Sequence, residues 1–565
     1  GFVANLLYAN HRDAPDDNLR EHQQARKGPF LRECDPGKAC SLYWDAHQNQ
    51  PASGPLISLT MQPLYQELAA DNNWQILLPE IGMVALALLL LVYELFGKGK
   101  GKGNVSGTIA IVGQIAILGA LLAGVGKAAH CISFGGLVET SDLGDFGRIF
   151  FISSSILTSV LATTYLRKHP LAKTEFHHLT ILIAAALMLL LQSHHFVLLF
   201  VTLETATVGF YILVSYCRHD THSLEGGLKY LILGALSSTV LLFGSVLVYG
   251  AVGSGTNGLD GMNFTAIQQF AEMHPDHTLL RVGFLLILVG LLFKIGVVPF
   301  QIWIPDVYQG APTPVTAYLS VASKAAGLLL LLQLLIGPFS SQQQFVTPML
   351  SLMAGVTILF GNITALSHRN VKRIMGLSGI AQAGYMLLGV LAAFHVQELA
   401  IQGLLFYLTA YLLASYAVFG VMTWHAGEDD SEQTLDDYLD FSKKHPALGF
   451  VLVIGLASLA GIPPLAGFIG KFVLFLAAWK AGLTTLLFIA IVGVASSIFY
   501  YFGWIQEATF KFWKAKDPTG HEDKEAPETR GIAPIYLWAL ILITAATVIL
   551  GFYQEFLPIL GVIGK

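Results

Sequence analysis

Five ionisable residues lie inside apolar stretches of the sequence that are long enough to cross a lipid bilayer. They are Glu204, Lys229, Lys294, Lys324 and Lys471. A charged side chain at the centre of a membrane helix costs about 2.5–3.5 kcal/mol on insertion scales, so five of them cost on the order of 15 kcal/mol before compensation. Residues that persist at such a cost mark ion or proton pathways by default. We therefore predict that these five residues form a proton relay.

Lysine suits a proton relay because burial disfavours its charged form, and a nearby carboxylate can reverse that bias. Arginine cannot serve in this way, since it keeps its proton. Glu204 would act as a switch: close to Lys229 it holds the lysine charged, and separation favours proton release. Lys229 lies near one end of its helix, so snorkelling to the headgroups is the alternative there. For Lys294 and Lys324 that alternative is much weaker.

Prolines interrupt two of the lysine-bearing stretches. Pro299 follows Lys294 in LLFKIGVVPFQIW, and Pro463 and Pro464 precede Lys471 in GIPPLAGFIGKF. Proline inside a spanning helix frees carbonyl groups that need protein or water partners, and water at mid-membrane is what a proton wire requires. A packing kink would explain each proline alone. The pairing of each break with a lysine, about five spans apart, predicts two inverted repeats.

The composition is that of a membrane protein. Hydrophobic residues make up 54% of the 565 positions and charged residues 12%, against about a quarter charged in an ordinary soluble domain. We predict an all-α polytopic protein with about 14 transmembrane helices in a single bundle over residues 71–565. The apolar segments lie near 76–96, 105–126, 147–166, 177–193, 196–217, 227–252, 279–299, 312–336, 345–366, 371–392, 397–424, 446–480, 483–507 and 534–556.

Segments seven (279–299) and twelve (446–480) are the ones predicted to be broken, and the predicted repeats cover about 177–336 and 345–507. Basic residues test the topology. Seventeen fall in loops on one predicted side and five on the other, which is the asymmetry of the positive-inside rule. Both termini are therefore predicted to lie outside. Arg148 is counted with the outside loops and Lys372 with the inside loops.

Neither a redox cofactor nor a nucleotide site is predicted. The cysteines Cys34, Cys40, Cys131 and Cys217 lack the spacing of an iron–sulfur or covalent haem site. No Rossmann glycine motif or P-loop is present. Metal and nucleic-acid binding have no support either. Energy must therefore come from an ion gradient or from a partner protein.

Residues 1–70 are polar and are predicted to be a tail outside the bundle. The chain opens on Gly1, and its first methionine is Met61. Residues 1–60 are interpreted as a start-site artefact or a processed leftover, with a dispensable tail as the alternative.

Several other side chains are weaker candidates for the relay. His194 and His195 could shuttle protons, or could merely be solvated. Tyr407, Tyr411 and Tyr416 recur at helical spacing and could line a polar path, although packing is the favoured role. Glu80 and Glu94 lie near the ends of the first span, where a carboxylate costs little. The acidic run GEDDSEQTLDDYLD, residues 427–440, is interpreted as a solvated inside face that could meet a partner.

Three runs carry a family resemblance. KIGVVPFQIWIPDVYQGAPTPVTAYLSVASK, NVKRIMGLSGIAQAGYMLLG and GIPPLAGFIGKF resemble the antiporter-like subunits of proton-pumping NADH:quinone oxidoreductase, respiratory complex I. Within that family, PDVYQGAPTPVTA resembles the N-type subunits most. The lysine at position 471 argues against the M-type, and the absence of a long C-terminal extension argues against the L-type. The resemblance covers about residues 61–565.

The resemblance implies a 14-helix subunit with spans 7 and 12 broken and no cofactor of its own. The relay glutamate of span 5 corresponds to Glu204. The relay lysines of spans 6, 7, 8 and 12 correspond to Lys229, Lys294, Lys324 and Lys471. NADH and quinone would be used by other subunits of the complex, which are the implied partners, in a bacterial inner membrane with periplasmic termini.

The expected function is outward proton pumping driven by quinone reduction elsewhere in the complex. In the expected route, protons enter near Lys229 and Lys294, pass to Lys324 and Lys471, and leave outward. Two alternatives stay open at this point. One is a cation/proton antiporter subunit of the Mrp type, and the other is a passive membrane scaffold.

Overall fold

The computed structural model of the protein describes residues 72–96, 102–126, 131–169, 171, 173–253, 260–427, 430–509 and 533–553. The predicted polar tail, residues 1–70, lies outside the described residues, and so does the start-site prediction for residues 1–60. Within the described part the chain is almost entirely helical. The predicted all-α membrane fold is therefore confirmed.

Thirteen helical stretches of the described residues are long and apolar enough to cross a bilayer. Their apolar side chains repeat over the 18 or more residues that a crossing needs. The helices in chain order are α1 (Leu78–Phe96), α2 (Lys102–Leu122), α3 (Asp142–Lys168), α4 (Lys173–Leu190), α5 (Phe196–Val214), α6 (Thr221–Val252), α7 (Phe264–Met273), α8 (Thr278–Ile295), α9 (Ile304–Gly310), α10 (Thr313–Tyr318), α11 (Lys324–Ile336), α12 (Gln343–Ala365), α13 (Val371–Ala392), α14 (Gln397–His425), α15 (Phe441–Lys444), α16 (Pro446–Ala460), α17 (Ala466–Lys480), α18 (Thr484–Thr509) and α19 (Pro534–Phe552).

Short elements connect these helices. A two-stranded antiparallel hairpin pairs β1 (Ile132–Ser133) with β2 (Val138–Glu139) between α2 and α3. Tight helical turns lie at Trp74–Leu77, Ser340–Gln342, Asp430–Glu432 and Leu435–Tyr438. A π-helical turn, Leu319–Ser323, joins α10 to α11, so the eighth span changes its winding just before Lys324. Such π turns occur mostly as single insertions and are frequent at functional sites.

The helix that carries Lys294 ends before the proline that was predicted to interrupt it. Helix α8 ends at Ile295, and Gly296 takes a left-handed conformation with φ +83°. The amides of Gly296 and Val297 both donate to the carbonyl of Leu292. Glycine adopts this conformation without steric cost, and the resulting cap satisfies a terminal carbonyl. The glycine therefore ends the helix, and Pro299 lies in the irregular segment that follows.

The same arrangement recurs before Lys471. Helix α16 ends at Ala460, Gly461 has φ +86°, and the amides of Gly461 and Ile462 donate to the carbonyl of Ala457. The prolines at 463 and 464 occupy the linker to α17. The twelfth predicted segment, 446–480, is thus two helices of 15 residues each. The inverted-repeat relation between residues 177–336 and 345–507 stays a prediction.

Helix α13 lies at the centre of the bundle. Its apolar window is completely buried, and it packs against α9, α12, α14 and α17. Small residues allow the backbones of α12 and α13 to approach closely. A Cβ on Gly361 of α12 would come within 2.6 Å of the Ala381 nitrogen on α13. Backbones that approach this closely are typical of helix packing in membranes. Helix α13 therefore packs against α17, which carries Lys471, and against α9, which follows the helix that carries Lys294.

Arg148 is buried, so the prediction that it lies in an outside loop is wrong. Helix α3 begins at Asp142, five residues earlier than predicted, and this places Arg148 in its second turn. The guanidinium donates to both carboxylate oxygens of Glu80 (2.6 and 3.1 Å) and to the carbonyl of Ile76 (2.6 Å). Such bidentate pairs are strong and directional. The pair therefore fastens α1 to α3.

Candidate functional site

Lys294 forms a buried ion pair with Glu204. The lysine extends from the last turn of α8, and its Nζ lies 2.9 Å from Glu204 Oε1 on α5. It also donates to Thr207 Oγ1 at 2.6 Å, one helical turn beyond the glutamate. Ser238 of α6 donates to the same carboxylate oxygen at 2.6 Å. Because the lysine side chain is only 4% exposed, the carboxylate and hydroxyls are what compensate its burial.

The expected pairing of Glu204 with Lys229 is wrong in this structure. Lys229 Nζ lies 2.7 Å from Glu225 Oε1, one turn earlier on α6, and 2.7 Å from Asp306 Oδ2 on α9. The reason is position along α6: Ser238, more than two turns further on, is the residue that reaches Glu204. The lysine side chain is 42% exposed and lies towards the end of α6 that is predicted to face the inside. Glu204 pairs with Lys294 instead.

Asp306 was not singled out from the sequence. Its second oxygen accepts from Arg373 Nη2 at 2.8 Å, so one carboxylate holds both Lys229 of α6 and Arg373 of α13. A sequence signal for Asp306 was present in the run IPDVYQG, where an acidic residue follows a proline at the start of a short helix. Without knowing that α9 packs against α6 and α13, the sequence could not give Asp306 these partners.

Lys324 is buried without a hydrogen-bond partner among the described residues. Lys324 is the first residue of α11, directly after the π turn, and its Nζ lies 5.4 Å from the centre of the Tyr308 ring. On the other side is Gly379 of α13, where a Cβ would come within 2.3 Å of that Nζ and 3.3 Å of the Tyr411 hydroxyl. A ring face attracts a cation but does not replace lost hydrogen bonds. This ammonium is therefore the least compensated of the four.

Lys471 binds backbone carbonyls that the end of α16 leaves free. Its Nζ donates to Leu459 O at 2.8 Å and lies 3.4 Å from Ala460 O. The carbonyls in the last turn of a helix have no partner within it. Gln382 of α13 donates to the same Leu459 oxygen at 3.1 Å, and Tyr407 donates to the Gln382 side chain. A polar chain thus runs from the lysine into the centre of the bundle.

The tyrosines and histidines occupy polar positions of different kinds. Tyr411 faces the Lys324 side of the bundle. With Tyr407 it lines a crevice between α14 and α16 that is too narrow to hold a water molecule. Tyr416 instead bonds to Ser154 and Thr158 of α3, at 2.8 and 2.7 Å. The alternative that packing is the main role fits Tyr416 best, because its hydroxyl is satisfied away from the lysines.

The two histidines are buried, so the interpretation that they are merely solvated is wrong. His194 Nδ1 lies 2.5 Å from Glu139 of the hairpin, and its Nε2 lies 2.9 Å from Thr265. His195 Nε2 lies 3.3 Å from Asp260. Both rings are held by connecting segments at the predicted outer surface. Their role in proton transfer stays a prediction.

Lys372 is completely buried rather than part of an inside loop. Its Nζ donates to Ala311 O at 2.7 Å and lies 3.1 Å from Asp430 Oδ2. Asp430 also accepts from the amide and the hydroxyl of Thr313, at 2.9 and 2.6 Å. Burial opposes the charged carboxylate, but Lys372 and Thr313 hold the pKa of Asp430 below its ordinary value. The acidic run 427–440 is therefore anchored at Asp430 and is not uniformly solvated as predicted.

A sequence signal for this pair did exist. Lys372 lies in the first turn of α13, where the helix dipole disfavours a cation. A lysine at that position in an apolar helix needs a carboxylate. The dipole argument does not say which of the many acids in residues 427–440 supplies it, and the tertiary structure selects Asp430.

Comparison with known proteins places the sequence of this chain in a family. Residues 193–498 match the model described as NADH:quinone oxidoreductase/Mrp antiporter, transmembrane. The chain is 49% identical to NADH-quinone oxidoreductase subunit N 1 of Opitutus terrae over 491 residues, which are 86% of this chain and 96% of that protein. It is 34% identical to subunit N of Rhodospirillum rubrum over 75% of this chain and 85% of that protein. The chain belongs to the NADH-quinone oxidoreductase subunit N family.

Solved structures agree with the subunit N family assignment. A chain of respiratory complex I from Thermus thermophilus matches with a TM-score of 0.68 at 28% identity, covering 84% of this chain and 97% of that one. A chain of the Mrp complex from Dietzia has the same TM-score at 19% identity, over 86% and 96% of the two chains. At that identity the likeness to Mrp shows the fold alone. The predicted resemblance to complex I antiporter-like subunits is confirmed.

Gly379 offers a direct test of the Lys324 position in this subunit N family member. Gly379→Ala adds a methyl group that must displace the ammonium, since the added Cβ would lie 2.3 Å from it. Small displacements of reacting groups can cost up to about 10²-fold in rate, so we expect proton pumping to fall several-fold while the complex still assembles. Acidification of inverted membrane vesicles measures this.

The matched control for this substitution is Gly503→Ala on α18, where a Cβ would meet nothing within 4 Å. It should pump like the unaltered protein. Equal pumping by both glycine variants would show that the position of Lys324 does not matter.

Proposed function

We propose that this chain is a proton-translocating membrane subunit of NADH:quinone oxidoreductase and that its buried lysines carry the protons. The observation that carries the proposal is the ion pair of Lys294 with Glu204, enclosed by Thr207 and Ser238. A lysine held charged by a single carboxylate inside a membrane protein becomes a proton donor when that carboxylate moves away. The sequence relatives named subunit N supply the reaction that would drive the movement.

Protons enter at the predicted inside surface through Lys229. Its half-exposed ammonium is in contact with both solvent-side carboxylates, Glu225 and Asp306. Asp306 also binds Arg373 on α13. A shift of Asp306 towards Arg373 would release Lys229. Arg373 lies on α13, which also packs against α17, the helix that carries Lys471. In this way a movement of α13 changes the charge balance at the uptake site.

From Lys294 the proton passes to Lys324 and then to Lys471. Lys324 has no carboxylate to hold its charge, so it binds a proton more weakly than Lys294 does while Glu204 is in place. Lys294 can therefore pass its proton to Lys324 only after Glu204 has moved away. Tyr411, Tyr407 and Gln382 lie on the way to Lys471. The space between Lys324 and Lys471 is narrow, so water must widen it before a continuous wire forms. Release then occurs outward from Lys471.

The driving force comes from quinone reduction in partner subunits. Moving one charge against 100 mV requires about 2.3 kcal/mol. The cysteine spacing of this chain fits neither an iron–sulfur cluster nor a covalent haem, so electron transfer takes place in the other subunits. NADH and quinone are accordingly bound by other subunits. The chain resides with them in a bacterial inner membrane, with both termini on the periplasmic side.

Two other functions make different predictions. An antiporter subunit of the Mrp type would have the same fold, as the likeness to the Dietzia complex shows, and it would exchange a cation for protons without NADH. A passive scaffold would tolerate neutral substitution at all four lysines. Neither explains why the matching sequence relatives include proteins named NADH-quinone oxidoreductase subunit N.

Copurification tests the assignment to the complex. The chain, tagged in its native membrane and isolated in mild detergent, should carry NADH:quinone reductase activity in the same chromatographic peak. As a control, the same tag on an unrelated membrane protein should bring none. Recovery of the chain without that activity, together with rescue of a salt-sensitive host by the chain expressed alone, would favour the antiporter and overturn the proposal.

A further inference from the structure

A cavity of about 290 Å³ opens between α2, α3, α4 and the start of α19. It lies away from the lysine relay, at the ends of α3 and α4 that are predicted to face the inside. Its walls are apolar and include Ile111, Val160 and Ile535. Because α2 and α19 are largely exposed, the cavity is a cleft that opens at the surface of the helix bundle.

Two basic side chains line this cleft. Arg167 comes from the last turn of α3 and Lys173 from the first turn of α4. Neither forms an ion pair within the described part of the chain, whereas their neighbour Lys168 turns away to the carbonyls of Trp424 and Ala426. No carboxylate is among the described residues that line the cleft. The charge of this described lining is therefore positive.

The buried wall adds a second polar feature. His177 of α4 lines the cleft and is 1% exposed, and its Nδ1 has no hydrogen-bond partner among the described residues. A buried ring nitrogen in that state is costly unless a ligand or water binds it. Thr108 and Thr163 add hydroxyl groups to the same wall. The cleft thus combines two cations, a polar wall and an apolar interior.

We propose that this cleft binds an anionic phospholipid. The phosphodiester lies between Arg167 and Lys173, one acyl chain follows the apolar wall between α2 and α3, and His177 faces the polar part of the glycerol backbone. Basic clefts between membrane helices on the cytoplasmic side suit anionic headgroups, and each nearby lysine or arginine contributes about 1 kcal/mol. The lipid would fill the space between α19 and helices α2, α3 and α4. It takes no part in the proton relay.

Photo-crosslinking in the intact complex tests this site. The complex is placed in phosphatidylcholine nanodiscs that contain a trace of phosphatidylglycerol with a diazirine near the end of one acyl chain, and labelled peptides are identified by mass spectrometry. We expect labels in α2, α3 and the start of α19. In Arg167→Gln/Lys173→Gln the labelling should fall about 30-fold, the factor for two such charges.

A matched control removes two basic residues from the same predicted face. Lys443→Gln/Lys444→Gln should leave the labelling unchanged, because neither residue lines the cleft. Ile111→Trp keeps both charges and fills the apolar wall, so it should also abolish the label. Size-exclusion profiles like that of the unaltered complex establish that each variant is assembled.

Three results would overturn the proposal. Equal labelling by a phosphatidylcholine probe would mean an apolar crevice without headgroup selectivity. Full labelling in the Arg167→Gln/Lys173→Gln variant would remove the role of the charges. Labelling that appears only after residues 510–532 are deleted would mean that this segment of the chain occupies the cleft.

Discussion

Lys294→Ala is expected to abolish proton pumping while the complex still assembles. The substitution removes the group that alternates between Glu204 and the next proton carrier, and loss of a positioned proton-transfer group costs roughly 10²-fold or more. Glu204 keeps the hydroxyl of Ser238 as a donor and can take up a proton itself, so the helices remain packed. Acidification by inverted membrane vesicles, divided by NADH oxidation, measures the effect.

Two further variants separate charge from proton transfer at this site. Lys294→Arg keeps a cation beside Glu204 but cannot release its proton, so it should assemble fully and still not pump. Lys480→Ala, at the exposed end of α17, is the matched control and should pump normally. Normal pumping by Lys294→Ala would contradict the relay, and normal pumping by Lys294→Arg would assign the residue a purely electrostatic role.

Lys324→Met and Lys372→Met should have opposite effects, although both lysines are almost completely buried. Lys324 has no hydrogen-bond partner among the described residues, so an apolar side chain of similar volume should leave thermal stability unchanged or raise it. Lys372 pairs with Asp430 at 3.1 Å, and removing one partner of a buried pair costs about 3–5 kcal/mol. Pumping should be lost in Lys324→Met despite its stability.

Thermal unfolding of the purified complex, followed by tryptophan fluorescence, measures the stability of both variants. Vesicle acidification measures proton pumping by Lys324→Met. The double variant Lys372→Met/Asp430→Leu removes both charges and should recover part of the lost stability. A Lys324→Met complex that unfolds early would indicate that this lysine is structural. A Lys372→Met complex as stable as the unaltered one would mean that the Asp430 contact contributes little.

The sequence alone determined the membrane fold, because the length and hydropathy of the apolar runs leave few other solutions. The segment predicted at 371–392 coincides with α13, and the overlong segment at 446–480 is two helices. The sequence also identified the four lysines and Glu204, since the cost of charge in a membrane makes each of them conspicuous without any knowledge of neighbours. Their functional roles stay predictions.

The tertiary structure decided which charges meet. Glu204 pairs with Lys294, which is 90 positions away, because α5 and α8 both pack against α6. Lys229 takes Asp306 instead, and Lys372 takes Asp430 out of a run of many acids. Hydropathy reports how deep a residue lies along its own helix. Which helix faces which is set by packing between segments far apart in sequence. That packing also buries Arg148 and leaves Lys324 without a hydrogen-bond partner among the described residues.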